Sequence, residues 1–311
     1  MTAATNVAEH SNPNGALPAW TGNVMLAYGP RKSGTTLLLS LLDGGNDLFA
    51  YPTEITSKRL IQADWSADAV MRYRALVRTN DLERAGVDMA AYHDLWDQVP
   101  PDDMTNDPAS LIRSDVYNIA RTVSPPPAPG MWCAKDAGGR AADNIALWRR
   151  LFDRPRFIFI VRDPAMVTRA VLMDRRRRGV KLTWRQIITQ TVDPIRVIKA
   201  QAELLPDADA VFVVYEDLVT DTSGEMRKLA AFAGVPYGPH FEKPTAFGNP
   251  IIVKTSSRQV NKVFKDSAGR YSGLTLKEKL LVAATHIAVK FIPDYRLDYA
   301  RLRRQIAARQ S

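Results

Sequence analysis

The segment from Val24 to Leu39 constrains the fold of this chain more than any other. An apolar run, Val24-Met25-Leu26-Ala27-Tyr28, stops at Gly29-Pro30-Arg31-Lys32-Ser33-Gly34. Thr35 and Thr36 then open a leucine-rich run of helical character. A strand that ends in such a turn and restarts as a helix aims backbone N–H groups and a positive dipole end at one point, which suits an anion. The bland alternative is an ordinary Gly/Ser turn between strand and helix. The nucleoside-triphosphate loop reads Gly, four residues, Gly, Lys, then Ser or Thr. Gly29 and Gly34 keep that gap, but Thr35 stands where the lysine belongs. The loop's lysine is Lys32, two residues before the second glycine. From there it points at a different atom of a bound phosphate chain, which disfavours ATP chemistry.

Further apolar runs follow at Met131–Ala134, Phe157–Val161 and Ala210–Tyr215, with helical stretches between them. Continuous apolar strands alternating with helices indicate a parallel sheet covered on both faces. The expected fold class is therefore α/β, a three-layer, doubly wound parallel sheet with a P-loop-like phosphate-binding loop. Residues 1–22 are polar, with scattered Asn, Pro and Gly, and read as a flexible arm rather than a secretory signal. Residues 23–311 read as one domain. Between the first two strands lies a mostly helical insert, about 55–130, with helices expected over Ala67–Val77 and Met89–Val99. It closes on the proline-rich stretch Ser124-Pro125-Pro126-Pro127. An insert after a ligand-binding strand end often covers the site, so it is assigned to acceptor binding. The tail from Leu274 to Gln310 reads as amphipathic and helical, packing on the domain rather than lying on a membrane.

Of the 311 residues, 46% are hydrophobic and 24% charged, which is ordinary for a globular chain. The single cysteine, Cys133, rules out an internal disulfide framework and a multi-cysteine zinc site. No apolar segment approaches the ~20 residues of a membrane span. These features point to a soluble, cytoplasmic protein, while peripheral contact with a membrane stays open. The net charge of +9 admits nucleic acid, an acidic membrane surface or anionic small ligands as partners. The densest run, Arg175-Arg176-Arg177-Arg178, has no interleaved aromatics and no nucleic-acid motif beside it, so nucleic acid is not expected. A solvated helix end or a rim that attracts a polyanion are its other readings.

Pro30-Arg31-Lys32-Ser33-Gly34-Thr35-Thr36 resembles the 5′-phosphosulfate loop of the sulfotransferases that use 3′-phosphoadenosine 5′-phosphosulfate. That family reads Pro-Lys-Ser-Gly-Thr-Thr, and this chain carries one extra residue, Arg31. Ile160-Val161-Arg162-Asp163-Pro164 is similar to the family's 3′-phosphate motif, in which an arginine at a strand end grips the phosphate with its donor fork. Arg162 matches it. The serine expected eight residues later is Ala170, and Thr168 substitutes only if the helix is rotated. The resemblance, to the glutamate-base branch, spans about residues 23–275. It implies a sulfotransferase that moves a sulfuryl group to an acceptor hydroxyl on a carbohydrate, glycolipid or natural product, with no metal required.

The resemblance also implies roles. Glu54, in Ala50-Tyr51-Pro52-Thr53-Glu54 after the first helix, is the expected general base, and a solvent-facing acid near a helix start is its alternative. His93 is the substitute base, because a histidine serves in the small-molecule branch. Lys135, in Ala134-Lys135-Asp136, is expected beside the acceptor and sulfuryl group. Arg31, Lys32, Ser33, Gly34, Thr35 and Thr36 fall to the 5′ end of the donor. Arg162, Thr168, Arg258 and Arg270 fall to its 3′ end. Glu216 and Asp217, in Tyr215-Glu216-Asp217-Leu218, are expected to fix a loop and cap the next helix. Two other readings remain. A P-loop kinase or NTPase with a displaced lysine requires a magnesium-binding acid at a strand end, where the strongest strand offers Arg162 with Asp163 adjacent. A non-catalytic anion or nucleic-acid binder rests on charge alone.

Overall fold

The computed structural model describes residues 17–55, 60, 73, 77, 79–98, 107–123, 129–137, 141–251, 253–254, 259–260, 263 and 269–310. Its centre is a parallel sheet of β1 (Val24–Gly29), β2 (Leu48–Glu54), β3 (Met131–Ala137), β4 (Arg156–Val161) and β5 (Ala210–Val214), in the order β2-β3-β1-β4-β5. All six residues of β1 are buried, as a strand covered on both faces demands.

Alternation along the strands divides the core. Val24, Leu26 and Tyr28 of β1, with Phe157, Phe159 and Val161 of β4, face one layer; Met25, Ala27, Ile158 and Ile160 face the other. The second layer is closed by Leu37–Leu42 of α1 (Thr35–Leu42). The first is closed by helices from distant parts of the chain. Leu111, Ile112, Val116 and Ile119 come from Pro108–Thr122, and Trp148 from Ala141–Leu151. Val197 and Ile198 come from Trp184–Ala202, and Leu302 and Ile306 from Tyr299–Gln310. Each fully buried Leu, Ile or Phe contributes roughly 1.5–3 kcal/mol. The three-layer, doubly wound α/β expectation holds.

β2 departs from the sequence reading, which placed residues 50–54 simply after a helix. Pro52 has no N–H to give a ladder, and β2 is an edge strand, where proline is tolerated. The register slips there: Ala50 pairs with Cys133 but Glu54 pairs with Lys135, so β2 advances four residues while β3 advances two. The described insert comprises α2 (Thr79–Ala85), α3 (Met89–Asp97) and α4 (Pro108–Thr122). Apart from Tyr73 and Val77, the helix expected over 67–77 lies outside the described residues. Asp88 and Asp107 cap α3 and α4 by accepting from the first backbone N–H groups. In the insert's core the fully buried Asp115 accepts from the hydroxyls of Tyr51 (2.7 Å), Tyr73 (3.1 Å) and Tyr92 (2.6 Å).

Residues 1–16 of the expected N-terminal arm lie outside the described residues. Ala19–Gly22 forms a turn whose Trp20 packs on Phe49 and Tyr117, and the Thr21 carbonyl accepts from the Trp132 indole at 2.8 Å. After α5 (Ala141–Leu151) the chain runs through α6 (Pro164–Arg177), α7 (Trp184–Ala202), α8 (Thr222–Ala233), α9 (Leu276–Ala288) and α10 (Tyr299–Gln310). The expected helical tail is thus α9, two single turns and α10. Asp221 caps α8, not Asp217 as the sequence reading held.

Candidate active site

β1 lies between β3 and β4. The chain leaves β1 for one side of the sheet and returns on the other, so a crevice opens at the carboxyl ends of β1 and β4. In open α/β sheets ligands bind there. The β1–α1 turn, residues 29–34, and the β4–α6 turn with Arg162 both end in that crevice.

The first turn is shaped by two unusual backbones. Lys32 has φ 67° and Gly34, which caps α1, has φ 113°. A Cβ on Gly34 would meet the Tyr215 ring at 2.4 Å, and one on Gly29 would meet Ser33 Oγ at 2.5 Å. The Arg162 guanidinium lies 4.0 Å from the Tyr215 ring centroid, and its Nη1 donates to the Lys32 carbonyl at 2.9 Å. The two strand ends are therefore one unit, with Tyr215 as the floor under Arg162. Arg162 is buried, and neither its Nε nor Ser33 Oγ has a protein partner among the described residues. Buried polar groups left unpaired are costly, so these two atoms favour a polar ligand. Arg31 and Thr36 face solvent, while Thr35 is buried at the start of α1.

The Lys32 ammonium rests 3.2 Å from the buried carboxylate of Asp174, on α6. Arg177 (2.6 Å) and Arg178 (3.1 Å) share that carboxylate. Burial pushes the Asp174 carboxyl up, but the hydrogen bonds and charges of Arg177, Lys32 and Arg178 outweigh it and hold it below the usual carboxylate range. The basic run is thus partly spent within its own helix end, where cations also suit the dipole.

Behind Arg162 a second network holds the β4–α6 turn. Asp163 caps α6 through Ala165 N (2.8 Å), and its other carboxylate oxygen takes Arg270 Nε (2.9 Å) and Nη2 (2.6 Å). Glu216 accepts from Asp163 N (3.0 Å) and from the Tyr299 hydroxyl (2.7 Å). Burial, then the Glu216 charge, pushes the Tyr299 phenol up, so it stays a neutral donor. Glu216 fixes the turn, as expected. Arg270 stands at the site, paired with Asp163. Arg258 lies outside the described residues.

Thr168 is placed differently from its expectation. Its hydroxyl is fully buried and donates to the Pro164 carbonyl one turn back at 2.9 Å, because the Asp163 cap fixes the phase of α6. In this arrangement the hydroxyl is directed to its own helix and towards the Gln190 carbonyl (3.5 Å). Ala170 is buried in the same helix.

On the other flank, Lys135 Nζ donates to Thr36 Oγ1, in the first turn of α1, at 2.9 Å. Glu54, partly exposed, is its register partner on β2, and Ile55 N donates to the Lys135 carbonyl at 3.1 Å. A small cavity of about 60 Å³ opens beside Lys135, lined by Thr36, Tyr51, Pro52, Lys135, Phe247 and Ile251 among others. A larger cleft of about 570 Å³ opens by Val24, Met131 and Arg156, at the opposite ends of the strands. His93 is exposed on α3, with its ring against Tyr92. Sequence reading missed Asp174, Tyr215 and Tyr299. An acid directly before an arginine run was a usable signal for the first, and the Tyr-Glu-Asp-Leu signature for the second. Tyr299 meets Glu216 across 83 residues and gave no local signal.

A phosphate-loop-like turn and a strand-end arginine are joined at the switch point of a doubly wound α/β sheet. The sequence matches the sulfotransferase family over residues 26–239, well over half of the chain, and the protein belongs to that family. The fold is similar to the sulfotransferase domain from the curacin biosynthetic pathway, with a TM-score of 0.53 and 17% identity, covering 85% of this chain and 97% of that one. The sulfotransferase domain of the Synechococcus PCC 7002 olefin synthase matches at a TM-score of 0.47 and 19% identity, covering 85% and 94%. No curated protein matches the sequence.

Proposed function

We propose that this sulfotransferase takes its sulfuryl group from 3′-phosphoadenosine 5′-phosphosulfate and passes it to an acceptor hydroxyl on a carbohydrate, glycolipid or natural product. The observation that carries the reading is the hydrogen bond from Arg162 Nη1 to the Lys32 carbonyl, which locks two anion-binding turns together, one for each phosphate end of such a donor. The partnerless Ser33 Oγ and Arg162 Nε fit it too. Lys32, Ser33, Gly34, Thr35 and Thr36 would hold the 5′ end, with Arg31 at its exposed edge, and Arg162 and Arg270 the 3′ end. Bound, the donor supplies an electrophilic sulfur and a phosphate leaving group.

The chain supplies the rest. Glu54 takes the proton of the acceptor hydroxyl, as sulfuryl transfer requires of a base. Its place in register with Lys135, which lines the small cavity, favours it over His93 on the exposed side of α3. Lys135 and Lys32 put positive charge where the leaving phosphate gains negative charge. Lys32 reaches it by exchanging Asp174 for the ligand. A cytoplasmic setting belongs to this reading, since Cys133 is a free, buried thiol.

Thermal unfolding with 3′,5′-adenosine bisphosphate and no magnesium is the test. Ligand at about a hundredfold excess over Kd adds roughly 2.7 kcal/mol of stability and raises the melting temperature. A shift with magnesium-ATP alone would move the protein to the kinase reading. A shift with nucleic acid alone, lost steeply with salt, would leave a nucleic-acid binder. Lys32→Ala is expected to collapse turnover far more than it weakens binding of the bisphosphate. Screening hydroxyl acceptors with labelled donor then identifies the substrate.

A further inference from the structure

Large apolar side chains left exposed among the described residues are few, and they are not scattered. Of the seven, Leu276 (74% exposed), Leu280 (62%), Ile287 (59%), Phe291 (82%) and Ile292 fall on α9 and the single turn after it. The spacing from 276 to 280, 287 and 291 is four, seven and four, one stripe of a 3.6-residue helix. The buried side chains Val282, Thr285 and Val289 define the opposite side, and Val282 packs on Leu172, Ile187 and Leu274. α9 therefore carries two apolar faces. One docks on the domain; the other is presented to solvent, where so concentrated a patch marks an interaction site.

Charge says what covers it. Lys277 follows the stripe on one side, and Lys279 and Lys290 flank it on the other by helical phase, all three exposed. Arg296 lies just beyond. The acid within the helix, Glu278, is turned away to Arg176 and to the Thr275 cap. That contact also brings Arg176 of the arginine run to the start of α9, where it donates to the carbonyl of Gly273, just before the helix, at 2.6 Å. Asp294 and Asp298 are the exposed acids beyond it. We infer that this stripe is a docking surface for an anionic lipid bilayer, with α9 lying in the interface plane. An apolar ridge rimmed by lysines is how such helices bind, burying their apolar side at the headgroup boundary while the cations meet acidic lipids. At 13 residues α9 is about 20 Å long, too short to span. A second copy of the chain fits less well, because a two-fold pairing would bring both lysine rims together. A convex row with Phe291 and Leu276 at its tips also needs no complementary pocket in lipid.

Vesicle flotation tests this without any transfer assay, so its outcome is separate from that of the proposed reaction. The wild-type chain is expected to float with vesicles of phosphatidylcholine and phosphatidylglycerol, less in high salt, and poorly with phosphatidylcholine alone. Leu280→Asp with Phe291→Asp should reduce binding at least about tenfold, given the apolar area removed. Lys277→Gln with Lys279→Gln and Lys290→Gln should reduce it on anionic vesicles only. These side chains are exposed, so an unchanged urea midpoint shows the variants are folded. A wild-type chain that stays in solution with both vesicle types, or a double variant that floats like wild type, overturns the inference. So does a wild-type dimer, seen by light scattering, that the double variant abolishes.

Discussion

Gly34→Ala is the sharpest probe of how the two turns are joined. Gly34 has φ 113° and ψ 8°, a region that costs an L-residue on the order of 1–3 kcal/mol. Its new methyl would stand 2.4 Å from Tyr215 Cδ2 and 2.7 Å from Cε2, where about 3.4 Å is the lower edge of ordinary contact. The ring must retreat by about 1 Å, yet Arg162 lies against it. Overpacking of that kind costs ~1–3 kcal/mol. The total, ~2–6 kcal/mol, is a large share of the 5–15 kcal/mol that is typical of a domain. Urea denaturation reads it. Tyr215→Ala separates the two parts, because in that background only the backbone strain remains and the cost of Gly34→Ala should fall by ~1–3 kcal/mol. The displaced ring also withdraws the platform under Arg162, so affinity for 3′,5′-adenosine bisphosphate should drop about tenfold in Gly34→Ala. Equal costs in both backgrounds would refute the steric account. A cost under ~0.5 kcal/mol would refute the strain as well.

Glu54→Gln should lower turnover by roughly 10²–10⁴-fold while binding of the bisphosphate is unchanged; near-normal turnover would pass the base to His93. Tyr299→Phe removes one donor from Glu216, a loss of ~0.5–1.5 kcal/mol, and should weaken bisphosphate binding a few-fold through the Asp163 turn. Calorimetric titration checks it, and an unchanged Kd would detach α10 from the site. Asp115 gives a pH dependence. Burial raises its carboxyl from 3.8 to about 6 despite the three tyrosine donors, so the protonated form is favoured by folding. Its contribution is full below about pH 4 and is lost as pH rises through about 6. The unfolding free energy of wild type should shift against that of Asp115→Asn by up to about 3 kcal/mol over that window. A difference that does not vary with pH would contradict the raised carboxyl.

Legibility in the sequence followed the range of the forces involved. β1, β5 and Phe157–Val161 of β4 showed themselves because a strand covered on both faces is apolar along its buried length. β2 did not, since Pro52, Thr53 and Glu54 break the run and an edge strand tolerates them. Lys32 was found from the glycine-bounded loop after β1, and Arg162 from a strand-end motif that resembles the family's. Thr168 was misplaced for a local reason: helix phase is set by the Asp163 cap, and that phase turns the hydroxyl back on Pro164. The couplings of Tyr215 to Arg162, of Asp174 to Lys32 and of Tyr299 to Glu216 are tertiary. No periodicity or spacing in the chain encodes which arginine lies over which ring.

Lys32 is the residue in which these levels meet. A left-handed backbone carries its side chain out towards α6, and there the ammonium finds Asp174 instead of a loop phosphate. A buried carboxylate with one cation would hold it tightly, because removing the cation would strand the charge. Asp174 has three. Arg177 and Arg178 still compensate it when the lysine leaves, so the departure costs much less than breaking a lone buried pair. Arg162 meanwhile holds the Lys32 carbonyl, so the backbone has no need to move when the ammonium does. On the proposed reading, the displaced lysine would act as a short-range mobile charge on a fixed turn. If Lys32 meets a leaving phosphate as negative charge develops there, as proposed, it needs that combination, and Arg177 and Arg178 on Asp174 supply the counter-charges that permit it.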